Sequence, residues 1–436
     1  MSTIGNEAVS QPVRAGEEIP FQNRTLSTRE YALDYVQRVR GGEMGSIPGL
    51  IGLVVLVILF AILQSGFLTA YNVENMLIDG APTIIMAMGL VFVLLLGEID
   101  LSAGTASGAC AVLAAVLLVR HNINWFVAVL AAALLGAVIG LLIGWLRAKV
   151  GIPSFVITLA AFLSFQGVTV IMVGGSGSIL VQDHTIDAIE SASITDYMPI
   201  WGGWLMLVVV VLGYAAVKFQ TIVKRRKSGL AVEPVQIVLI KVLALAVLGA
   251  LFVYYMGINR IVTHTFFTAN LKAEGVPWIV PILLILLFGL GFLLGRTRYG
   301  RHVYAVGGND EAARRAGIRV DLVRISVFVM CSFLAAISGI VQMSAQAGVN
   351  SAQGGANTLL LAVGAAVIGG TSLFGGRGRV IDAVVGGVVV EVISYGMSDL
   401  ISGSNGSGWQ FIITGVVLLL AAGFDAVSRR LGGGRS

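Results

Sequence analysis

One short stretch concentrates charge in a chain that is otherwise apolar. Of the 436 residues, 57% are hydrophobic and only 12% are charged. The sequence GGNDEAARRAGIRV at 307–320 nevertheless carries Asp310, Glu311, Arg314, Arg315 and Arg319. So dense a cluster of both signs of charge is typical of a surface that meets water or a partner, and not of an apolar core.

The order of residues in this stretch predicts a short helix. Asn309 is a good N-cap, and acidic residues in a first turn and basic residues in a last turn both suit the helix dipole. Ala312 and Ala313 are strong helix formers, and Gly317 suits the left-handed position after a helix. A helix of about two turns is marginal in isolation, so it must pack either on another protein or on the chain's own loops.

Three carboxylates lie within or beside apolar segments, where an uncompensated charge costs about 2.5–3.5 kcal/mol at the bilayer centre. Glu98 and Asp100 suit two interpretations: a polar break that lines or gates a transport path, or a short loop whose carboxylates meet water and cap a helix that begins near Ser102. Glu391 lies deep in an apolar segment, one helical turn before Tyr395. It would either pair with a neighbouring helix or contact a solute.

Several kinds of chemistry are absent from the sequence. It contains neither a G-x-x-x-x-G-K-[ST] phosphate loop nor a G-x-S-x-G nucleophile elbow. The four histidines are dispersed without metal-ligand spacing. The chain is therefore predicted to hold no cofactor or metal and to be no enzyme.

Apolar runs of membrane-spanning length recur along the chain, whose mean hydropathy is +0.91. They lie at 48–64, 81–97, 103–119, 126–146, 153–173, 201–217, 235–256, 278–295, 322–343, 359–373, 380–400 and 409–425. The prediction is an all-α, polytopic transmembrane helical bundle of about 12 membrane segments. Some segments are short or discontinuous, since 81–97 and 359–373 are short for a full crossing. Gly136, Gly140 and Gly144 form overlapping G-x-x-x-G steps that favour close helix packing.

The positions of Lys and Arg predict the topology. If both termini are cytoplasmic, nearly all of the 28 basic residues fall on the inner side. The outer loops hold only Arg120, Arg260 and Lys272, and Lys241 lies within a span. The predicted organisation is a cytoplasmic tail at 1–46, a transmembrane domain at 47–426 and a cytoplasmic tail at 427–436. The N-terminal tail carries a capping box at 27–30 that predicts an amphipathic helix on the membrane surface.

Four segments together resemble the sugar branch of the ABC importer permeases, the ribose/xylose-type family. They are GEIDLSAG at 97–104, GIPSFVITLA at 151–160, YAVGGNDEAARRAGI at 304–318 and VIGGTSLFGGRG at 367–378. The segments keep the family order and span most of the chain. The two apolar segments between 201 and 256 are similar to the longer, xylose-type branch.

The resemblance implies the permease subunit of an importer in the bacterial inner membrane. Its expected partners are a second permease copy in a homodimer, ATP-binding subunits that hydrolyse the ATP, an extracellular sugar-binding protein and the lipid bilayer, but no nucleic acid. The expected solute is a monosaccharide, and the xylose-type likeness favours a pentose. The alternative is a self-sufficient transporter of a small polar solute, driven by an ion gradient through the carboxylates named above. Dependence on an ATPase would separate the two.

The resemblance also assigns roles to residues. The ATPase-coupling element would comprise Asn309, Asp310, Glu311, Ala312, Ala313, Arg314, Arg315 and Gly317. Sugar recognition uses amides and hydroxyls beside aromatic faces, and carboxylates inside apolar segments can line a transport path. Candidates for the solute path are therefore Glu98, Asp100, Ser102, Thr158, Phe162, Gln166, Gln346, Asn357 and Glu391. Further polar candidates on the same helices are Ser164, Gln342 and Ser344.

One departure from the family pattern bears on the solute. Family members often carry an acidic residue and an aspartate just before the V-I-G-G-T-S segment. This chain has Leu359 and Leu361 near those places, so any part that such carboxylates play in a sugar path is missing here.

Overall fold

The computed structural model describes residues 45–189, 197–228, 232–260, 273–401 and 404–433. The helices in these ranges are α1 (Ile47–Leu63), α2 (Ala70–Leu95), α3 (Ala103–Val119), α4 (Trp125–Trp145), α5 (Ser154–Val173), α6 (His184–Ile189), α7 (Ile200–Lys227), α8 (Val235–Met256), α9 (Ile279–Arg296), α10 (Arg298–Gly308), α11 (Asp310–Arg315), α12 (Val320–Ala345), α13 (Ala356–Ile368), α14 (Val380–Leu400) and α15 (Ser404–Gly433). A π-helical turn at Leu146–Val150 extends α4. A 3₁₀ turn at Gly174–Ser176 follows α5.

Twelve of these helices coincide with the twelve apolar segments of the sequence. In the described ranges, nine helices are long and apolar enough to cross a membrane, and α1, α3 and α13 are shorter apolar helices. The prediction of an all-α, polytopic transmembrane bundle is therefore confirmed.

The largest difference from the predicted segments lies at α2. This helix begins at Ala70, well before the predicted start at 81, because the hydroxyl of Thr69 caps it by accepting a hydrogen bond from the N–H of Asn72. The polar residues Asn72, Glu74 and Asp79 interrupt the apolar run but not the helix. At the other end of the chain, α15 continues to Gly433, past the predicted domain boundary at 426. The predicted surface helix after residue 27 lies outside the described residues.

Two short antiparallel ladders join loops that the sequence predicts on the outer side. Strand β1 (Ser178–Leu180) pairs with β4 (Gly348–Asn350), and β2 (Tyr197–Met198) pairs with β3 (Val276–Pro277). The first ladder holds the segment after α12 against the segment after α5.

Contacts divide the chain into two compact units. Among the described residues, the smaller unit comprises 207–228 and 232–249, which belong to α7, α8 and the segment between them. In it, Glu233 pairs with Lys218 at 3.2 Å and also with Lys241, the lysine inside an apolar segment. The larger unit comprises residues 38–206 and 250–436 and contains the buried core.

Helix α12 packs in the core of the larger unit along a row of glycines on α4. A methyl group at Gly136, Gly140 or Gly144 would overlap backbone atoms of Ser332, Phe328 or Ile325 on α12. The two backbones thus lie in direct contact, as the G-x-x-x-G pattern predicts for helices packed within a membrane.

A buried ion pair fastens the start of α2 to the segment before β3. Arg260 Nε lies 2.6 Å from Glu74 Oε2, and the two side chains are only 1% and 3% exposed. The guanidinium also donates to the carbonyls of Met256 and Gly275 and lies 4.6 Å from the ring centroid of Tyr197. The cation therefore contacts a carboxylate, two carbonyls and an aromatic ring.

Replacing Arg260 by methionine should destabilise the protein strongly, because it leaves the Glu74 carboxylate buried without its cation. Breaking a buried pair in this way costs about 3–5 kcal/mol. The measurement is the thermal unfolding of the purified protein in detergent. The matched control is Arg120→Met, since Arg120 is exposed and bonds only to carbonyls at the end of α5. Equal losses in both variants would contradict the prediction.

Candidate functional site

The predicted charged helix is α11, and both of its ends are capped as the sequence indicates. Asn309 Oδ1 accepts a hydrogen bond from the N–H of Ala312 at 2.8 Å. After the helix, Gly317 has a φ of +83°, and the N–H of Ile318 donates to the carbonyl of Ala313 at 3.0 Å. These bonds give a helix of only six residues a defined start and end.

One face of α11 packs on the chain itself, and the rest is exposed. Ala313 is 4% exposed and belongs to the buried core that includes Val306 and Val320, the neighbouring turns of α10 and α12. Ala312 and Glu311 are exposed. The turn from α10 into α12 directs Ala313 inward, so this residue seats the helix on the chain itself.

Arg324 joins α11 to the GEID loop, residues 97–100, which connects α2 to α3. Its Nη2 lies 2.9 Å from Asp310 Oδ2, and its Nε lies 3.6 Å from Glu98 Oε1. Glu98 also pairs with Arg147 at 2.8 Å, and its side chain is only 8% exposed. In the sequence, Arg324 is one of many basic residues on the predicted cytoplasmic side, and only its position just inside an apolar segment hints at this role.

A second set of charges continues the same network. Asp321 pairs with Lys149 at 2.9 Å and with Arg314 at 3.6 Å. The exposed Arg315 pairs with Glu311 within the helix at 2.6 Å. Since Lys149 follows α4, ion pairs tie α11 to the ends of several membrane helices.

Three glycine-containing segments meet at the end of α10. A methyl group at Gly307 would overlap the carbonyl oxygen of Leu95, the last residue of α2. The same carbonyl accepts a hydrogen bond from the N–H of Gly376 at 2.8 Å. A methyl group at Gly375 would also crowd the backbone nitrogen of Gly97 and the carbonyl oxygen of Gly307. Three of the segments that carry the family resemblance are therefore in contact, a juxtaposition that sequence order does not reveal.

Tyr304 of α10 strengthens this junction. Its hydroxyl donates to the carbonyl of Gly378 at 2.7 Å. Burial, assisted by the nearby Asp382 carboxylate, raises the pKa of Tyr304. The phenol therefore stays a neutral donor at physiological pH.

Asp100 and Ser102 lie in the break between α2 and α3, Thr158 of α5 bonds to the same break, and all three residues are buried. Asp100 Oδ1 accepts hydrogen bonds from the N–H and the hydroxyl of Ser102 at 2.9 and 2.6 Å. Thr158 donates to the carbonyls of Ser154 and Ile99. Asp100 thus caps the start of α3, but neither it nor Glu98 meets water in the way that the loop interpretation supposed.

Four of the predicted path residues line one cavity of about 510 Å³. They are Phe162, Gln166, Gln346 and Asn357. Gln342 lines it too, and so does Gln353, which the sequence analysis did not single out because it lies in a loop. The other two polar candidates bond to backbone instead: Ser164 donates to Ala160 and Ser344 donates to Ile186.

Glu391 lies elsewhere, on α14 against α2. It is buried, and its side chain packs on Gly80. One turn further along α14, the hydroxyl of Tyr395 donates to Asp79 at 2.7 Å. The structure therefore places Glu391 at a contact between two helices.

The departure from the family pattern falls on the first turns of α13. Leu359 is buried beside Gly104 of α3, and Leu361 is half-buried against the core. Apolar packing occupies both positions in this chain.

Comparisons with known proteins agree with this architecture. The family model described as "Branched-chain amino acid transport system / permease component" matches residues 72–235 and 188–422. The xylose transport system permease protein of Haemophilus influenzae is 33% identical over 87% of this chain and 96% of its own length. The corresponding protein of Escherichia coli K12 is 33% identical over 84% and 88%. No solved structure matches the chain.

The likeness extends to a ribose permease. The ribose import permease protein of Escherichia coli K12 is 30% identical over 86% of this chain and 92% of its own length. The family match spans far more than half of the residues, and the resemblance found in the sequence is confirmed. The chain belongs to this family of transport permeases, as a multi-pass inner-membrane permease of the sugar-type ABC transporters.

Proposed function

We propose that this chain is the membrane-spanning subunit of an importer that moves a monosaccharide, a pentose such as xylose, into the cell. Two copies pair with ATP-binding subunits, which hydrolyse the ATP, and an extracellular binding protein delivers the sugar. Both termini are cytoplasmic, residues 1–46 form an inner tail, residues 47–426 form the permease domain and the chain ends in an inner tail. The supporting likeness is to relatives named as xylose and ribose permeases.

The single observation that carries the coupling role is the way in which α11 is held. Its buried residue and its ion pair to Arg324 fix it to the membrane helices, while Glu311 and Arg315 remain 71% and 79% exposed. A helix that is rigidly seated and exposes a charged surface suits docking into a groove of another protein. Movement of that protein would then be transmitted to α12 and to the GEID loop.

Reversing the charge of Glu311 should release the ATP-binding subunit. Glu311→Arg removes a surface ion pair worth only about 0.3–0.5 kcal/mol, so the permease should unfold at an unchanged temperature. The reversed charge would, however, repel the basic groups that Glu311 is proposed to face on the ATP-binding subunit. We expect about tenfold less of that subunit to copurify with the affinity-tagged permease, which corresponds to a loss of about 1.4 kcal/mol of binding free energy. The measurement is the molar ratio of the two chains after gentle solubilisation.

The control is Asp399→Arg, because Asp399 is an exposed carboxylate at the far end of α14. It should leave the ratio unchanged. Equal recovery of ATPase with both variants would remove α11 from the docking surface. Transport by the chain alone, in vesicles with an ion gradient and no ATP, would favour the ion-driven alternative.

A further inference from the structure

The cavity described above is uncharged and rich in amides. Its polar side chains are Gln166, Gln342, Gln346, Asn350, Gln353 and Asn357, with Thr358 beside them. Phe162 supplies an aromatic surface, and the remaining lining residues are alanine or glycine. A volume of about 510 Å³ falls in the range of about 300–1,000 Å³ that is usual for small-molecule sites.

Gln353 is the most informative residue of this cavity. It is only 2% exposed, yet among the described residues neither its Oε1 nor its Nε2 has a hydrogen-bond partner. The Oε1 atom of Gln342 is likewise buried and unpaired there. Each such group costs about 1–3 kcal/mol when it is left unsatisfied, so two of them on residues that line one cavity indicate a missing polar ligand or water.

The backbone holds Gln353 in place before any ligand arrives. A methyl group at Gly108 of α3 would overlap the carbonyl oxygen of Gln353, so the loop lies directly on that helix. Gly354 then turns the chain with a φ of +66°. Across the cavity, Gln166 Nε2 donates to the carbonyl of Ser351 at 3.0 Å, which fixes the loop to α5. A site whose groups are positioned in advance loses less entropy on binding.

The start of α13 adds neutral donors to the same cavity. Its N-cap is Gly355, which supplies no side-chain cap, and Gly355, Ala356 and Asn357 all line the space. The first backbone N–H groups of a helix have no partner within the helix. They can donate to hydroxyl oxygens of a solute.

The chemistry of the lining selects the class of solute. A zwitterionic amino acid would need a charged partner for each of its ends, since a buried charge is stable only when it is paired. None of the described lining residues is charged. Unpaired amides, backbone N–H groups and an aromatic face instead suit an uncharged molecule that carries several hydroxyl groups.

We infer that the permease chain itself contains a binding site for an uncharged, polyhydroxylated solute, in which Gln353 and Gln342 bond its hydroxyl groups and Phe162 packs against its ring. The inference rests on the proposed transport function and adds to it a second point of selection, inside the membrane chain. A solute released by a binding protein would be held here before it moves inward.

The test is uptake of D-xylose by proteoliposomes that contain the permease with its ATP-binding subunit and the xylose-loaded binding protein. Gln353→Leu and Gln342→Leu keep the size of the side chain and remove the amide. We expect each to lower uptake about tenfold while ATP hydrolysis stimulated by the loaded binding protein persists. Gln64→Leu is the matched control, because Gln64 is a half-buried amide outside the cavity lining. Its Nε2 donates to the carbonyl of Gly396, and its Oε1 is unpaired among the described residues. It should stay within about twofold of the parent, a difference below about 0.5 kcal/mol.

The outcomes separate this inference from the proposed function. Uptake by both cavity variants at the parent rate would overturn the site. If Gln353→Leu fails to fold, the half-exposed Gln342 decides the matter alone. Competition by L-leucine as strong as that by D-ribose would also overturn it, because the site would then accept a charged solute. If the parent protein shows no ATP hydrolysis dependent on the binding protein, the importer proposal fails instead.

Discussion

Gly307→Ala is expected to lower transport by more than about tenfold, whereas Gly308→Ala should leave it nearly unchanged. The added methyl group at Gly307 would overlap the carbonyl oxygen of Leu95, while nothing lies within 4 Å of the corresponding position at Gly308. The oxygen cannot yield easily, because it belongs to the last turn of α2 and accepts the hydrogen bond from Gly376. The end of α10 must therefore move away, and α11 moves with it.

The size of this effect follows from the packing. Overpacking a tight contact costs about 1–3 kcal/mol. Under the proposed function, a displaced α11 would also lose its alignment with the ATP-binding subunit. We expect ATP-driven uptake in proteoliposomes to fall more than about tenfold, since each 1.4 kcal/mol changes an equilibrium about tenfold. Copurification of the ATPase shows whether docking or a later step fails. Equal uptake by the two alanine variants would show that the contact does not control the helix.

Arg324→Gln is expected to uncouple ATP hydrolysis from transport. Arg324 is the side chain that pairs with both Asp310 at the start of α11 and Glu98 in the GEID loop. Glutamine removes the ion pair with Asp310, while Glu98 keeps its ion pair with Arg147. The ATPase would still dock on the exposed surface of α11, but its movement would reach the membrane helices less completely.

The measurement is the amount of sugar taken up per ATP hydrolysed, which we expect to fall about tenfold, in keeping with the loss of about 1.4 kcal/mol of coupling. Because Asp310 is half exposed and Arg324 is 17% exposed, stability should fall far less than for a fully buried pair. Arg301→Gln is the control, since Arg301 is an exposed arginine of α10 on the same stretch of chain. A parent-like ratio in Arg324→Gln would show that this ion pair is only structural.

Helix α12 connects the two regions that these experiments address. Arg324 lies near its start and Gln342 near its end, about 27 Å apart at about 1.5 Å of rise per residue. The glycine row of α4 and the buried residues of α2 hold this helix along much of its length. Under the proposed function, movement at the charged junction would therefore reach the cavity through this one helix.

The sequence by itself determined the features that depend on local order. Apolar runs predict helices because a segment in lipid must satisfy its own backbone hydrogen bonds, and twelve of the described helices coincide with such runs. The cap at Asn309 and the glycine at 317 define α11, since capping involves only residues a few positions apart. The four short segments with family likeness were sufficient to indicate an ABC sugar permease.

The tertiary structure decided which distant residues meet. Sequence order separates Leu95, Gly307 and Gly376, yet their backbones form one junction. By sequence, Arg324 is one of many basic residues on the predicted cytoplasmic side, whereas the structure places it between Asp310 and Glu98. The sequence could not mark Gln353 as a site residue, because what distinguishes it is a buried amide without a hydrogen-bond partner among the described residues. Such facts depend on packing between helices that are far apart in the chain, and a local pattern cannot specify them.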